Sequence, residues 1–153
     1  MAVQYSEFTP EKANKGVSAR VMARVGSILH IGLKTPLDVV RVSREGIVTS
    51  AVDLLVDQGF NRRDLDWIIP LRTLTHRREK GQKLTTDETE RWLRVAKISA
   101  LAQEVIGAEK AMAWLHKPRK MFDGLTAMEL IKTEPGADLV EETLIQLDEG
   151  YFA

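Results

Sequence analysis

Apolar residues in this chain recur at intervals of three and four, and no stretch of strand length alternates apolar with polar side chains, so the pattern predicts an all-α protein. Val17, Val21, Met22, Val25 and Ile28 predict a first amphipathic helix over residues 12–28, with Gly26 and Gly32 bracketing its end. Thr35 before Pro36 is a start signal for a short helix to about Ser43, because threonine caps free backbone N–H groups and proline at the first helical position loses no needed donor. Val48, Ala51, Val52, Leu54, Leu55 and Val56 predict a helix over residues 47–58, stopped by Gly59. Asn61 then caps a helix running through Leu65, Trp67, Ile68 and Ile69 to Pro70, and residues 71–79 form a short basic helix ending near Gly81. Thr85 followed by Glu88 is a capping box that opens a long helix, whose stripe of Trp92, Leu93, Val95, Ala96, Ile98, Leu101 and Val105 ends at Gly107. Helices over 108–115, over 127–132 with Thr126 as cap, and from about Gly136 to Glu149 complete the chain, with a turn at Pro118 to Asp123.

Composition narrows this picture. With 153 residues, 44% hydrophobic and 29% charged, the chain is long enough for one ordinary domain or two small ones. No run reaches the ~20 apolar residues that span a bilayer, and the amino terminus lacks the features of a signal peptide, so no membrane role is expected and a cytoplasmic location is. Absence of cysteine excludes disulfides, thiolate zinc sites and cysteine nucleophiles. Net charge is zero but unevenly placed: residues 61–97 carry ten basic residues against six acids, a balance of +4, and residues 121–153 carry one lysine against eight acids, a balance of −7. The middle suits a polyanion and the tail a basic partner surface.

Two short helices joined by a tight turn between Asn61 and Gly81 outline a helix-turn-helix. In that motif the second helix enters the major groove, and Arg72, Thr73, Thr75, His76, Arg77 and Arg78 are the residue types that reach base edges and phosphates from it. So modest a positive charge favours a homodimer reading two half-sites over a monomer, and Trp92 and Leu101 are candidate dimer contacts, with a core role as the simpler reading of both.

The carboxyl-terminal third carries a more specific pattern. Ala111-Met112-Ala113-Trp114-Leu115-His116-Lys117-Pro118 is followed by Phe122-Asp123-Gly124-Leu125-Thr126-Ala127-Met128-Glu129-Leu130, then Thr133-Glu134-Pro135-Gly136-Ala137, then Val140, Leu144, Leu147 and Gly150. This resembles the toxin-binding domain of the Xre/MbcA/ParS antitoxins, in particular those paired with RES-domain toxins. The stretch from Thr73 to Arg78, with Leu84 and Arg91 to Arg94, resembles their Xre-like half. Ala127 departs from the proline of many members, which changes helix rigidity more than helix start. The resemblance implies a domain that covers the active site of an NAD-consuming toxin, with Glu141, Glu142, Leu144, Ile145, Asp148, Glu149, Gly150, Tyr151 and Phe152 as contacts. A carboxylate of Asp148, Glu149 or the chain terminus would then compete for a cationic pyrophosphate pocket, and Tyr151 and Phe152 would anchor it. Within the domain, Phe122, Leu125, Met128 and Leu130 are expected to fold back on Trp114 and Leu115, with Gly124 and Gly136 where the backbone needs positive φ or close approach.

An enzyme is not expected. His30, His76 and His116 are far apart, fit no metal-ligand spacing and read as isolated surface histidines, and no phosphate-binding glycine loop or nucleophile elbow occurs, so no cofactor or metal is anticipated. Asp64 and Asp66, two residues apart, point in different directions on a helix. The sequence therefore reads as an all-α chain with a mobile arm over 1–11, an Xre/Cro-like helix-turn-helix region over 12–92 and a small helical toxin-binding domain over 93–153. Its expected partners are a cognate RES-domain toxin, operator DNA and a second copy of itself. The competing reading is a stand-alone helix-turn-helix transcriptional regulator whose terminal domain only oligomerises, and a helical adaptor with neither partner is a third.

Overall fold

The computed structural model describes residues 10–150, among which there are eight α-helices, two short 3-10 turns and no strand. The helices are α1 (Pro10–Leu29), α2 (Pro36–Glu45), α3 (Ala51–Asp57), α4 (Leu71–Glu79), α5 (Thr86–Ile106), α6 (Ala108–Leu115), α7 (Ala127–Leu130) and α8 (Glu134–Asp148), with 3-10 turns at Arg62–Leu65 and Lys120–Phe122. The all-α expectation holds. α1 begins inside the segment expected to be an arm, and the rest of that segment lies outside the described residues.

α5 is the axis, packed by α1, α2, α6 and α8. Its apolar residues are too many for one face: Trp92, Val95, Ala96, Ile98, Ala100, Leu101 and Ala102 are all buried, as expected of a helix surrounded by its own protein. Trp92 and Leu101 are thus core residues, which removes them as dimer contacts. The Trp92 indole donates to the Ala51 carbonyl at 2.8 Å and ties α3 to α5. Thr85 and Glu88 form the expected capping box at the start of α5, and Thr35 and Asn61 form boxes of the same kind with Asp38 and Asp64.

Several boundaries differ from the pattern. The helix expected over residues 61–69 is only the 3-10 turn Arg62–Leu65 followed by further turns, because Pro70 disfavours helical geometry in Ile69 before it. α3 starts at Ala51 rather than at residue 47: Ile47 is held in a loop, where its N–H donates to Thr89 and its carbonyl accepts from Leu84. α8 starts two residues early, capped by Thr133 with Pro135 in its first turn.

Two glycines are fixed by close approach. At Gly46, where φ is +77°, an added Cβ would lie 2.3 Å from the Leu84 carbonyl oxygen; at Gly136 it would lie 1.9 Å from that of Leu130, so α8 crosses the end of α7 in backbone contact. Leu125, expected in the small terminal core, is instead 42% exposed, whereas Phe122 and Met128 are buried and Phe122 meets Trp114 edge-on at 6.3 Å.

Trp92→Phe keeps most of the apolar volume and removes the indole hydrogen bond to the Ala51 carbonyl. We expect a loss of about 1 kcal/mol, read as a lower urea midpoint at unchanged slope; an unchanged midpoint would mean this bond does not hold α3.

Candidate functional site

The basic residues of α4 separate into two sets. Arg72, Thr75 and His76 are exposed and Thr73 is half-buried beside them; with Leu71 and Glu79 they line one open surface. Leu74 is fully buried and seats the helix. The Thr75 hydroxyl donates to the Leu71 carbonyl at 3.0 Å, which leaves its oxygen free to accept. This face is short and mixed, with Arg72 and His76 beside Leu71 and Glu79.

Arg77 is engaged inward, and Arg78 is ion-paired at the surface. Arg77 forms a largely buried ion pair with Glu88, whose carboxylate also accepts from the Thr85 N–H and so closes the cap of α5. Arg78 reaches Asp53 at 2.6 Å and the Thr49 carbonyl at 3.5 Å, fastening α4 to α3. Of the six residues expected to face DNA, four line the open surface and these two stitch the fold.

The turn preceding α4 is gripped by residues from the second half of the chain. His116, at the end of α6, presents Nε2 to Asp64 at 2.8 Å and Nδ1 to the Met112 carbonyl at 2.8 Å. Asp64 accepts at the same time from the Asn61 N–H, so His116 pins a cap. Arg94 stacks its guanidinium on Trp67 at 5.7 Å and donates to the Ile131 carbonyl at 3.2 Å, joining that turn to the end of α7. Arg91 donates to the Trp67 and Ile68 carbonyls. His116 is therefore half-buried and bonded rather than an isolated surface histidine. Nothing in the sequence pairs it with a residue 52 positions away.

Both ring nitrogens of His116 face acceptors, so the imidazolium satisfies both while the neutral ring has one proton for the two. Burial pulls the His116 pKa down, but the Met112 carbonyl and the hydrogen bond and charge of Asp64 outweigh it and raise the value above the ordinary 6.5. On α1, the Arg24 hydrogen bond holds Glu104 below the usual carboxylate range against burial, with Arg20 adding to it. In the terminal turn, burial pushes the Arg119 guanidinium down as it stacks on Trp114 at 4.5 Å.

The residues expected to meet a partner are scattered around α8. Leu144 is fully buried, so it packs the domain and offers no contact surface, which corrects that assignment. Ile145 lines a small cleft with Val17, Met22 and Leu101 of α1 and α5, and Glu141 pairs with Lys97 at 3.3 Å. Glu142, Asp148, Glu149 and Gly150 are exposed; Leu139, Glu142 and Glu149 share an outward face by helical spacing. Tyr151 and Phe152 lie outside the described residues. The pattern also gave no sign of the exposed apolar side chains Met121, Leu125 and Leu139 in this half. Among the described residues no group of three or more His, Asp or Glu is placed to hold a metal ion, and no helix is long and apolar enough to cross a membrane.

Comparisons with known proteins match two separate segments of the chain. Residues 38–97 match the family described as the antitoxin Xre-like helix-turn-helix domain, and residues 101–150 match the antitoxin Xre/MbcA/ParS C-terminal toxin-binding domain. The chain is similar to an antitoxin Xre of Pseudomonas putida, 52% identical over 87 residues covering 56% of this chain and 55% of that protein. It is also similar to an antitoxin Xre of Yersinia enterocolitica, 32% identical over 87 residues, 56% of this chain and 59% of that one. A protein of a Sphingobium species named Prs ADP-ribosylating antitoxin is 25% identical over 134 residues, 78% of this chain and 83% of its own length. The chain thus spans a little over half the length of the two Xre relatives it matches.

Two measurements test these assignments. Arg77→Ala leaves the Glu88 carboxylate without its cation and should cost about 1–3 kcal/mol, whereas Arg72→Ala should stay within about 0.5 kcal/mol of the parent; equal urea midpoints would refute the inward role of Arg77. Because the His116 pKa is raised on folding, its contribution is complete below the unfolded value of 6.5 and is lost as pH climbs through the native value. Urea midpoints should therefore fall between about pH 6 and pH 8 in the parent and fall less in His116→Gln; parallel curves would show that the contact contributes nothing.

Proposed function

We propose that this chain, in which an Xre-like helix-turn-helix domain is joined to an Xre/MbcA/ParS C-terminal toxin-binding domain, is an antitoxin that neutralises a cognate RES-type, NAD-degrading toxin by covering its active site. It acts in the cytoplasm, and as a homodimer it binds operator DNA and represses its own operon. The observation that carries the reading is the match over residues 101–150, which includes most of the acidic stretch over residues 121–153. In this reading residues 12–92 serve DNA and residues 93–153 serve the toxin, with α5 common to both.

Glu142, Asp148, Glu149 and Gly150 at the outward end of α8, continuing into Tyr151 and Phe152, form the contact. A toxin that binds the pyrophosphate of NAD lines its pocket with cations, and a carboxylate entering that pocket competes as an anion in a desolvated setting. Arg72, Thr75 and His76 read the groove, flanked by Thr73. Arg77 and Arg78 act indirectly, by fixing the pose of α4.

Two separable losses are expected. Joint replacement of Arg72 and His76 by alanine should weaken the shift of promoter DNA by more than about tenfold and leave inhibition of the toxin intact. Deletion of residues 148–153 should do the reverse, abolishing stoichiometric inhibition of NAD breakdown by the purified product of the neighbouring reading frame. A tail-deleted protein that still inhibits at one-to-one stoichiometry would refute the active-site plug, and a neighbour that consumes no NAD would refute the RES assignment.

A further inference from the structure

α2 carries two faces of different use. Val39, Val42 and Ser43 are turned toward the protein, half-buried or buried. Leu37, Val40, Arg41 and Arg44 lie at helical spacings of three, four and seven and form one exposed stripe, with Leu37 56% and Val40 48% exposed. Large apolar residues held in water on an ordered helix are a recurrent mark of an interface.

The stripe borders a cleft of about 560 Å³ between α2, α5 and the start of α8, with Leu93, Ile98 and Ala137 among its apolar lining. Charges of both signs line it: α2 contributes Arg44, α5 contributes Glu90 with Arg94 and Lys97, and α8 contributes Glu134, Asp138 and Glu141. Arg94 answers Glu134 at 3.8 Å and Lys97 answers Glu141 at 3.3 Å. Arg44, Glu90 and Asp138 have no ionic partner among the described residues.

We propose that this surface is where a second copy of the chain docks: the two α2 helices cross about a two-fold axis, Leu37 and Val40 closing on their equivalents, and Arg44 of each copy meets Asp138 and Glu90 of the other. The argument is self-complementarity. An isologous interface must hold knob and socket, cation and anion, on one patch, and this patch holds all four. The inference rests on the homodimer reading given above and names the surface that reading needs.

Light scattering and sedimentation of the full chain test it. The parent should be a dimer, and Val40→Glu or Leu37→Glu, both at exposed positions and checked for unchanged helical circular dichroism, should raise the dimer dissociation constant by about a hundredfold or more. Arg44→Glu should weaken the dimer and Asp138→Arg in the same chain should restore it. A dimeric parent whose Val40→Glu and Leu37→Glu variants remain equally dimeric overturns the surface and leaves the homodimer standing. A parent that is monomeric throughout overturns both, and failure of the double charge reversal to restore association overturns the Arg44 pairing.

Discussion

The structure depends on the burial of the broad apolar band of α5, whose opposite side leaves Glu90 and Lys97 exposed. An apolar band this wide cannot be covered by one neighbour, so α1, α2, α6 and α8 each gain their own apolar contact by covering part of it. Where the covering is polar it is satisfied: the Trp92 N–H finds Ala51, and Glu88 at the helix start takes both its own cap and Arg77. Both family matches meet on this helix, one ending at residue 97 and the other beginning at residue 101. The two halves therefore share their central element, and the turn before α4 is clasped by Arg94 of α5 and by His116 from beyond the helix-turn-helix match.

This sharing explains why charge along the chain is a poor guide to which residues face outward. The middle region has a surplus of cations, but Arg77, Arg78, Arg91 and Arg94 all spend donors on neighbouring carbonyls or carboxylates within the protein. On α4 the basic residues that are exposed and outside these pairs are Arg72 and His76. The last turn of α4 is fastened both to α3, through Arg78, and to the cap of α5, through Arg77. Likewise the acids of the tail are not one surface, since Glu141 turns to Lys97 while Glu142 and Glu149 turn away.

Local chemistry was the legible part of the sequence. Threonine and asparagine caps at Thr35, Asn61, Thr85 and Thr126 mark helix starts because each cap bond closes within three residues. The family pattern of the carboxyl-terminal third is legible for a related reason, since Gly136 and the buried Phe122 and Met128 answer to packing that tolerates few alternatives. Contacts spanning long separations were not legible. The His116 link to Asp64, the Arg94 stack on Trp67 and the inward turn of Leu144 depend on how helices cross, which periodicity along one helix does not encode. The helix expected over residues 61–69 failed for a different reason, a local one: apolar spacing favoured it, and Pro70 shortened it to a single 3-10 turn.

The proposed function puts two separate working faces on this chain, α4 for DNA and the outward end of α8 for a toxin. Hydrogen exchange of the full chain, alone and saturated with the product of the neighbouring reading frame, tests it most directly. The account predicts slowed exchange over the last turns of α8 and the segment after it, with α4 exchanging as in the free protein. Protection centred on α4, with α8 unchanged, would contradict it.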